Sequence, residues 1–258
     1  MSSNIDMQHL NLAGQVALAT TGSIVTNTIT QPLFTMKSRI MVGQPFSWRG
    51  LYNGFIAVTA VDIITFGMSY ATNDRLNTAF QDYPQGDLLA AIAAGALPAP
   101  ALAVGEGLAA NRQVHALKYS QLLHRAFRPS GIVMTILREI PFITAVFYLQ
   151  PKIAKNLSSS SEESPIRETG TQMTAGAAAG AMAGLVTTPV DLIKTRVQTH
   201  EQGISIARAV NEVVTKKGLR GLFQGGSARC LYLSAVTTCL STVNYAAPSR
   251  FPSSLHKE

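Results

Sequence analysis

The sequence predicts an all-α membrane protein with six transmembrane helices, arranged in three pseudo-repeats of two. Two observations lead to this fold class: charged residues are missing from six long stretches, and a proline-centred motif recurs along the chain. Only 14% of the 258 residues are charged, against about 25% in an ordinary soluble domain. A soluble helical protein rich in alanine would need charged outer helix faces, and the six stretches do not provide them.

Each charge-poor stretch is about as long as a membrane span. Three stretches contain no Asp, Glu, Lys or Arg, and three contain one or two such residues: 7–36, 169–190 and 230–249, and then 50–73, 88–111 and 131–150. About 20 helical residues cross the hydrocarbon layer, so the six stretches predict six spans. They are rich in small residues, which let helices approach closely in lipid.

Positive charge is concentrated on one side of the predicted spans. The formal net charge is +7, and most Lys and Arg residues lie in the loops after spans 1, 3 and 5. The loops after spans 2 and 4 and the termini are near neutral. The positive-inside tendency places the basic side in the matrix or cytosol. A nucleic-acid partner is not predicted, because the basic residues are scattered without interleaved aromatic residues.

A repeated motif divides the chain into three units. Segments 30–39 and 187–196 share Pro, Lys and Arg at identical spacing, and 105–112 fits the same frame with Gly105 at the proline position. The repeat-motif residues are Pro32, Arg39, Arg112, Pro189 and Arg196. We predict units at 1–85, 86–165 and 166–258, each with a kinked span, a short amphipathic surface helix and a second span.

Three ionisable residues fall near the middle of predicted spans. Asp62 lies eight residues after Gly54, while Arg138 and Glu139 lie seven and eight residues after Gly131. Charge inside a span indicates function by default, because uncompensated burial is costly. The same counting in span 6 gives Tyr232 as a further candidate for substrate binding. The alternative for Arg138 and Glu139 is a buried structural pair.

The sequence does not predict covalent chemistry. It contains no phosphate loop and no nucleophile with a base at helical spacing. Cys230 and Cys239 match no metal or redox spacing, so we interpret them as packing residues. We therefore expect no catalytic residues, no metal and no cofactor, and a protein that is not an enzyme.

The motif of the third unit carries a family resemblance. Pro189, Asp191, Lys194 and Arg196 match Pro-x-Asp/Glu-x-x-Lys/Arg-x-Arg, which is the repeat signature of the mitochondrial carrier family. The chain therefore resembles that family. The resemblance implies that kinked odd-numbered spans converge and close a central cavity through ion pairs between neighbouring motifs.

The resemblance also implies which residues form the gates. Asp191 is expected to pair with Lys37, whereas Phe34 and Gly107 replace the other two acids, which leaves Lys194 to find Glu106 or no partner. Asp74 keeps the acid position of a second gate at the opposite face. Arg229, at the base of span 6, is interpreted as a structural or gate residue.

The run from Arg138 to Phe142 resembles the S-adenosylmethionine carrier within that family. The resemblance implies alternating-access exchange of an amino-acid-like or cationic metabolite. Arg138 would hold a carboxylate, and Glu139 and Asp62 would hold an ammonium or sulfonium group. Two alternatives stay open at this point: a carrier-derived membrane scaffold without transport, and a nucleotide carrier.

The resemblance further implies where the protein works and with what. We expect a monomer in the mitochondrial inner membrane, with both termini on the intermembrane-space side. Its expected partners are a small-molecule substrate, the lipid bilayer and a bound anionic lipid such as cardiolipin.

Overall fold

The part of the chain that the structure describes is almost entirely helical. A computed structural model describes residues 10–45, 47–115, 127–158, 165–200 and 202–246. The helices in these ranges are α1 (Leu12–Val42), α2 (Phe55–Ala79), α3 (Gly86–Ala96), α4 (Ala99–His115), α5 (Pro129–Thr144), α6 (Gln150–Leu157), α7 (Pro165–Thr199), α8 (Ile206–Lys217) and α9 (Gly226–Ala246). A π-helical turn joins α5 to α6, and a 3-10 turn precedes α9.

Several helices have the length and composition of membrane spans. Those that qualify alone are Phe55–Ala79, Pro129–Leu157, which joins α5 and α6, and Ile166–Thr199 in α7. α3 and α4 qualify together as one span bent by 45°. α1 and α9 have 31 and 21 residues, long enough to cross, but they are less apolar. If these two helices are counted as well, the number of long helical stretches equals the six spans that the sequence predicts.

The spans form a closed ring. Packing runs from α1 to α2, then to α3 and α4, α5, α7 and α9, and α9 packs again on α1. The odd-numbered spans, which include α1, α4 and α7, also contact one another. We call the end of the ring where α1, α4 and α7 finish the basic end.

The polarity of the ring is the reverse of that of a soluble protein. Large apolar side chains are exposed on its outer surface, including Ile56, Ile64 and Val186, which are 59–79% exposed. Polar side chains are buried inside it, including Gln31, Asn111 and Thr188. An apolar exterior around a polar interior suits a protein surrounded by lipid. It also explains why α1, with its polar inner face, is only weakly apolar overall.

Pro32 lies inside α1 and leaves one carbonyl without its usual helical donor. Proline has no N–H, so the bond from residue 32 to the carbonyl of Thr28 cannot form. The hydroxyl of Tyr52 donates to that carbonyl at 3.0 Å. Pro189 occupies the corresponding place in α7. The bend of the second odd-numbered span lies instead between α3 and α4, and α4 runs on through Gly105.

Glycines allow α7 and α9 to pack with their backbones close together. Gly176, Gly180 and Gly184 recur at four-residue spacing, which places them on one helix face. A Cβ at Gly184 would lie 2.9 Å from the Cα of Cys230, and one at Gly176 would lie 2.9 Å from the carbonyl oxygen of Thr237. The hydroxyl of Thr237 donates to the carbonyl of Gly176 at 2.6 Å.

The surface helices differ from the prediction. In the third unit α8 forms, capped by the Ser205 hydroxyl, which accepts a hydrogen bond from the backbone N–H of Arg208. In the first unit the expectation is wrong for the described residues, because turns rather than a helix join α1 to α2. This connection spans only about a dozen residues, and Arg39 fixes it by donating to the carbonyls of Ser47 and Arg49 at 2.7 and 2.8 Å. Residues 116–126 of the second unit lie outside the described residues.

Candidate substrate site

Two clusters of buried charge connect the spans. The first, which we call the Asp191 cluster, consists of Lys37, Asp191 and Arg229. The second, the Glu106 cluster, consists of Glu106, Arg138, Glu139 and Lys194. Each cluster is named after the acid that is shared between two cations.

The Asp191 cluster joins α1, α7 and α9 at the basic end. The ammonium of Lys37 donates to Asp191 Oδ2 at 2.8 Å, so the predicted pair forms. Arg229 Nη1 forms an ion pair with the same oxygen at 2.5 Å, and Arg229 Nη2 donates to the Thr187 hydroxyl at 2.7 Å. The side chains of these three charged residues are at most 3% exposed. Removing one partner from such a buried group leaves an uncompensated charge, which is strongly destabilising.

Lys37 also lies close to aromatic rings. Its ammonium is 4.7 Å from the ring centroid of Phe34 and 5.5 Å from that of Tyr232. Cations within about 6 Å of a ring face are attracted by its quadrupole. Phe34 occupies the motif position where the family has an acid, so here an aromatic ring faces the lysine of its own motif.

The Glu106 cluster joins α4, α5 and α7. Arg138 Nη2 donates to Glu106 Oε2 at 3.0 Å and to Glu139 Oε2 at 2.5 Å. The ammonium of Lys194 donates to the same Oε2 of Glu106. Lys194 therefore has Glu106 as its partner, which is the first of the two outcomes that the sequence left open. The Nε of Arg138 is buried and has no hydrogen-bond partner among the described residues.

Asp62 lies on α2 and faces the same interior space. The amide of Asn27 donates to Asp62 Oδ2 at 2.8 Å. The described ion pairs do not include one for Asp62. A carboxylate that is held by an amide, beside a polar space, remains available to a cation from outside the protein.

A narrow cavity lies at the centre of the ring between these groups. Its lining comes from α1, α2, α4, α5 and α9, and its charged members are Asp62, Glu106, Arg138 and Glu139. Tyr232 also lines it. The structure thus brings the four predicted substrate residues to one space. Glu106 is a lining residue that the sequence reasoning considered only as a gate partner, although its position next to Gly107 was a usable signal.

The cavity is too small for a metabolite in this conformation. Its volume is about 30 Å³, which suits roughly two water molecules. The three acids and one arginine of its lining leave an excess of negative charge. This arrangement favours a solute that carries more positive than negative groups, provided that the ring can open.

At the end of the ring opposite the basic end, the contacts between described residues include hydrogen bonds and a solvent-exposed ion pair. Gln15 Nε2 donates to Asp74 Oδ2 at 3.0 Å, and the Tyr70 hydroxyl donates to Asn244 Oδ1 at 3.1 Å. Lys152 lies 3.9 Å from Asp87, with both side chains about half exposed. Asp74 lies near this end of α2, well separated from Asp62, and this is the face where the second gate was predicted. Its role in a gate stays a prediction.

The repeat-motif arginines and prolines are separate from the cavity lining described above. Arg39 holds the connection between α1 and α2, and Pro32 and Pro189 lie inside α1 and α7. Arg112 and Arg196 lie near the ends of α4 and α7. In the described ranges, no group of three or more His, Cys, Asp and Glu side chains is placed to hold a metal ion.

A ring of helical spans around a charged central cavity defines a polytopic membrane protein of the carrier class. Comparison with known proteins agrees with this class. The profile of the mitochondrial carrier protein family matches residues 167–251. Over this last third, the chain is therefore similar to mitochondrial carrier proteins.

Individual relatives cover different parts of the chain. The mitochondrial S-adenosylmethionine carrier protein of Xenopus laevis is 29% identical over 251 residues, 88% of this chain and 93% of that protein. The probable chloroplastic S-adenosylmethionine carrier 2 of Arabidopsis thaliana is 26% identical over 234 residues, 81% of this chain and 66% of that protein. The human mitochondrial glycine transporter is 36% identical over 117 residues, 44% of this chain and only 38% of that protein.

Proposed function

We propose that this chain transports a cationic, amino-acid-like metabolite such as S-adenosylmethionine by alternating access of the central cavity. The observation that carries the proposal is the lining of that cavity, in which Asp62, Glu106 and Glu139 accompany a single arginine, Arg138. S-adenosylmethionine bears one carboxylate and two cationic groups, an ammonium and a sulfonium. Its charge is therefore complementary to the lining.

The arginine and the acids would bind different parts of such a solute. Arg138 has an unpartnered buried Nε beside the Nη2 that holds its two acids. A solute carboxylate could accept a hydrogen bond from that Nε. Asp62, held only by the amide of Asn27 among the bonds described above, would accept a cationic group across the cavity.

Other substrate classes fit the lining less well. A nucleotide would bring several negative charges toward three acids, and like-charge contact is unfavourable. Glycine would fit the Arg138 and Glu139 pair as a zwitterion, but it would leave the remaining acids unbalanced. The full-length similarity to S-adenosylmethionine carriers supports the cationic metabolite over both.

Alternating access would require the basic end to open. The Asp191 cluster connects α1 to α7, and the Glu106 cluster connects α4 to α7. Both must separate before a solute can leave toward that side. The small cavity supports a closed conformation that widens on binding, with three two-span units moving relative to one another.

Uptake into liposomes tests the proposal. Purified protein is reconstituted, the liposomes are preloaded with unlabelled solute, and entry of radiolabelled S-adenosylmethionine, lysine, glycine and ATP is compared. We expect saturable uptake of S-adenosylmethionine, and its loss in Asp62→Asn and Arg138→Ala.

A matched control separates the site from general damage. Asp87→Asn removes an acid whose side chain is 56% exposed and lies outside the cavity, so its uptake should equal that of the unmodified chain. Preferred uptake of ATP would contradict the cationic substrate class. Folded protein that takes up none of the four solutes would support the scaffold alternative.

The cellular setting is part of the same proposal. We place the protein in the mitochondrial inner membrane as a monomer, with both termini toward the intermembrane space and anionic lipid such as cardiolipin at its surface. Protease treatment of intact and swollen mitochondria carrying a terminal epitope tests the orientation. Cleavage of the epitope only after inner-membrane rupture would reject it.

A further inference from the structure

We propose that Glu106 is shared between the substrate and the gate, so that a cationic group bound at Glu106 displaces Lys194 and loosens the basic end. This inference rests on the proposed function, because it requires a cationic solute in the central cavity. It concerns how binding and opening are linked.

The position of Glu106 in its helix makes the sharing possible. The motif frame puts Gly107 at the usual acid position, and Glu106 comes one residue earlier. One residue turns an α-helix by about 100°, so the side chain projects from a different face of α4. From that face it lines the cavity and also reaches the neighbouring span α7.

One carboxylate oxygen serves two cations. Oε2 of Glu106 accepts from Arg138, a cavity residue on α5, and from Lys194, a motif residue on α7. If Glu106 moves away, Arg138 still has its hydrogen bond to Glu139 Oε2, at 2.5 Å. In the described part of the chain, Lys194 forms its ion pair with Glu106. Loss of Glu106 therefore affects Lys194 more than it affects Arg138.

A solute cation can compete for Glu106 but not for Asp191. The described lining of the cavity includes Glu106 and omits Asp191. An ammonium or sulfonium group in the cavity would approach the Glu106 carboxylate directly and weaken its attraction for Lys194. The connection between α4 and α7 would then loosen only when a cation is bound, which links opening to the presence of substrate.

The two clusters supply a matched pair of variants for the test. Lys194→Gln removes one of two cations from Glu106 and leaves Arg138, at 3.0 Å. Lys37→Gln removes one of two cations from Asp191 and leaves Arg229, at 2.5 Å. Both variants remove one buried positive charge from the basic end, and they differ in whether the acid concerned faces the cavity.

The experiment measures binding by the full-length purified chain in detergent, with radiolabelled S-adenosylmethionine as the probe. If Glu106 is shared, Lys194→Gln should bind the probe about fivefold more tightly, because the competing lysine is gone. Lys37→Gln should tighten binding less than Lys194→Gln does, because the acid that it frees is outside the described cavity lining. The charge-conserving Lys194→Arg should bind like the unmodified chain. Methylthioadenosine, which lacks the carboxylate, ammonium and sulfonium groups, should show no difference between variants.

Each outcome decides the question. Equal affinities in Lys194→Gln and Lys37→Gln, or weaker binding in Lys194→Gln, would overturn the shared role while leaving the proposed function intact. Absence of binding to the unmodified, folded chain would reject the proposed function, and the shared role with it. Thermal unfolding of each variant verifies folding. If Lys194→Gln unfolds, Lys194→Met, which also removes the charge, is measured in its place against the same expectation.

Discussion

The two ends of the helix ring are held together by different chemistry. At the basic end, Asp191 and Glu106 each bind two cations within the protein, and these groups are almost fully buried. At the other end, the Tyr70–Asn244 and Gln15–Asp74 hydrogen bonds connect the helices. The Lys152–Asp87 ion pair there is about half exposed.

This difference indicates that the two ends open at different cost. Each of these hydrogen bonds contributes about 0.5–3 kcal/mol, and an exposed ion pair contributes about 1 kcal/mol or less. A buried ion cluster must be hydrated or supplied with new partners before its helices can separate. We therefore expect the basic end to be the more stable closure in the absence of solute.

The largest expected effect comes from Asp191→Asn. The substitution leaves Lys37 and Arg229 buried without their shared acid, which should lower the free energy of unfolding by about 3–5 kcal/mol. Thermal unfolding in detergent measures the effect as a lower Tm. A Tm equal to that of the unmodified chain would show that the Asp191 cluster does not hold the basic end.

A smaller effect is expected from Tyr70→Phe at the other end. The ring stays packed near Phe147, with centroids 5.7 Å apart, but the buried Asn244 oxygen loses its donor. The expected loss of stability is about 1–2 kcal/mol. Tyr83→Phe, at an exposed tyrosine, is the control and should leave Tm unchanged. A loss as large as that of Asp191→Asn would remove the contrast between the ends.

Gln15→Lys should reduce the contrast by adding charge to the other end. Gln15 already donates to Asp74, so a lysine there would form an ion pair. Because Gln15 is buried, desolvation of the ammonium offsets part of the attraction, and the net stabilisation of this end is about 0.5–1 kcal/mol. Because this end has to open during each transport cycle, the added stabilisation should lower the uptake rate by about two- to fivefold. Gln15→Met, which has no donor, should not slow uptake in this way. Faster uptake by Gln15→Lys would mean that this end does not close during transport.

The smallest effect is expected from Asp87→Asn. The substitution removes an exposed ion pair whose atoms are 3.9 Å apart, while the asparagine oxygen can still accept from the Leu88 N–H. Stability should change by about 0.5 kcal/mol or less. A marked fall in Tm would mean that exposed pairs carry more of the closure than their geometry suggests.

The sequence alone determined the general organisation of this protein. Charge-poor stretches predict spans because lipid excludes unpaired charge, and that constraint acts on each stretch separately. For the same reason Asp62, Arg138 and Glu139 could be selected as site candidates without knowledge of the fold. The Lys37–Asp191 pair followed from the family resemblance, since its two motifs match the family pattern at those positions.

Tertiary structure decided the partners of the remaining charges. Glu106 is one residue away from the motif's acid position, and only the packing of α4 against α5 and α7 shows that it binds both Arg138 and Lys194. Arg229 likewise reaches Asp191 through the close approach of α9 to α7. Sequence patterns describe each helix by itself, whereas these contacts depend on the rotation and separation of helices that are distant along the chain.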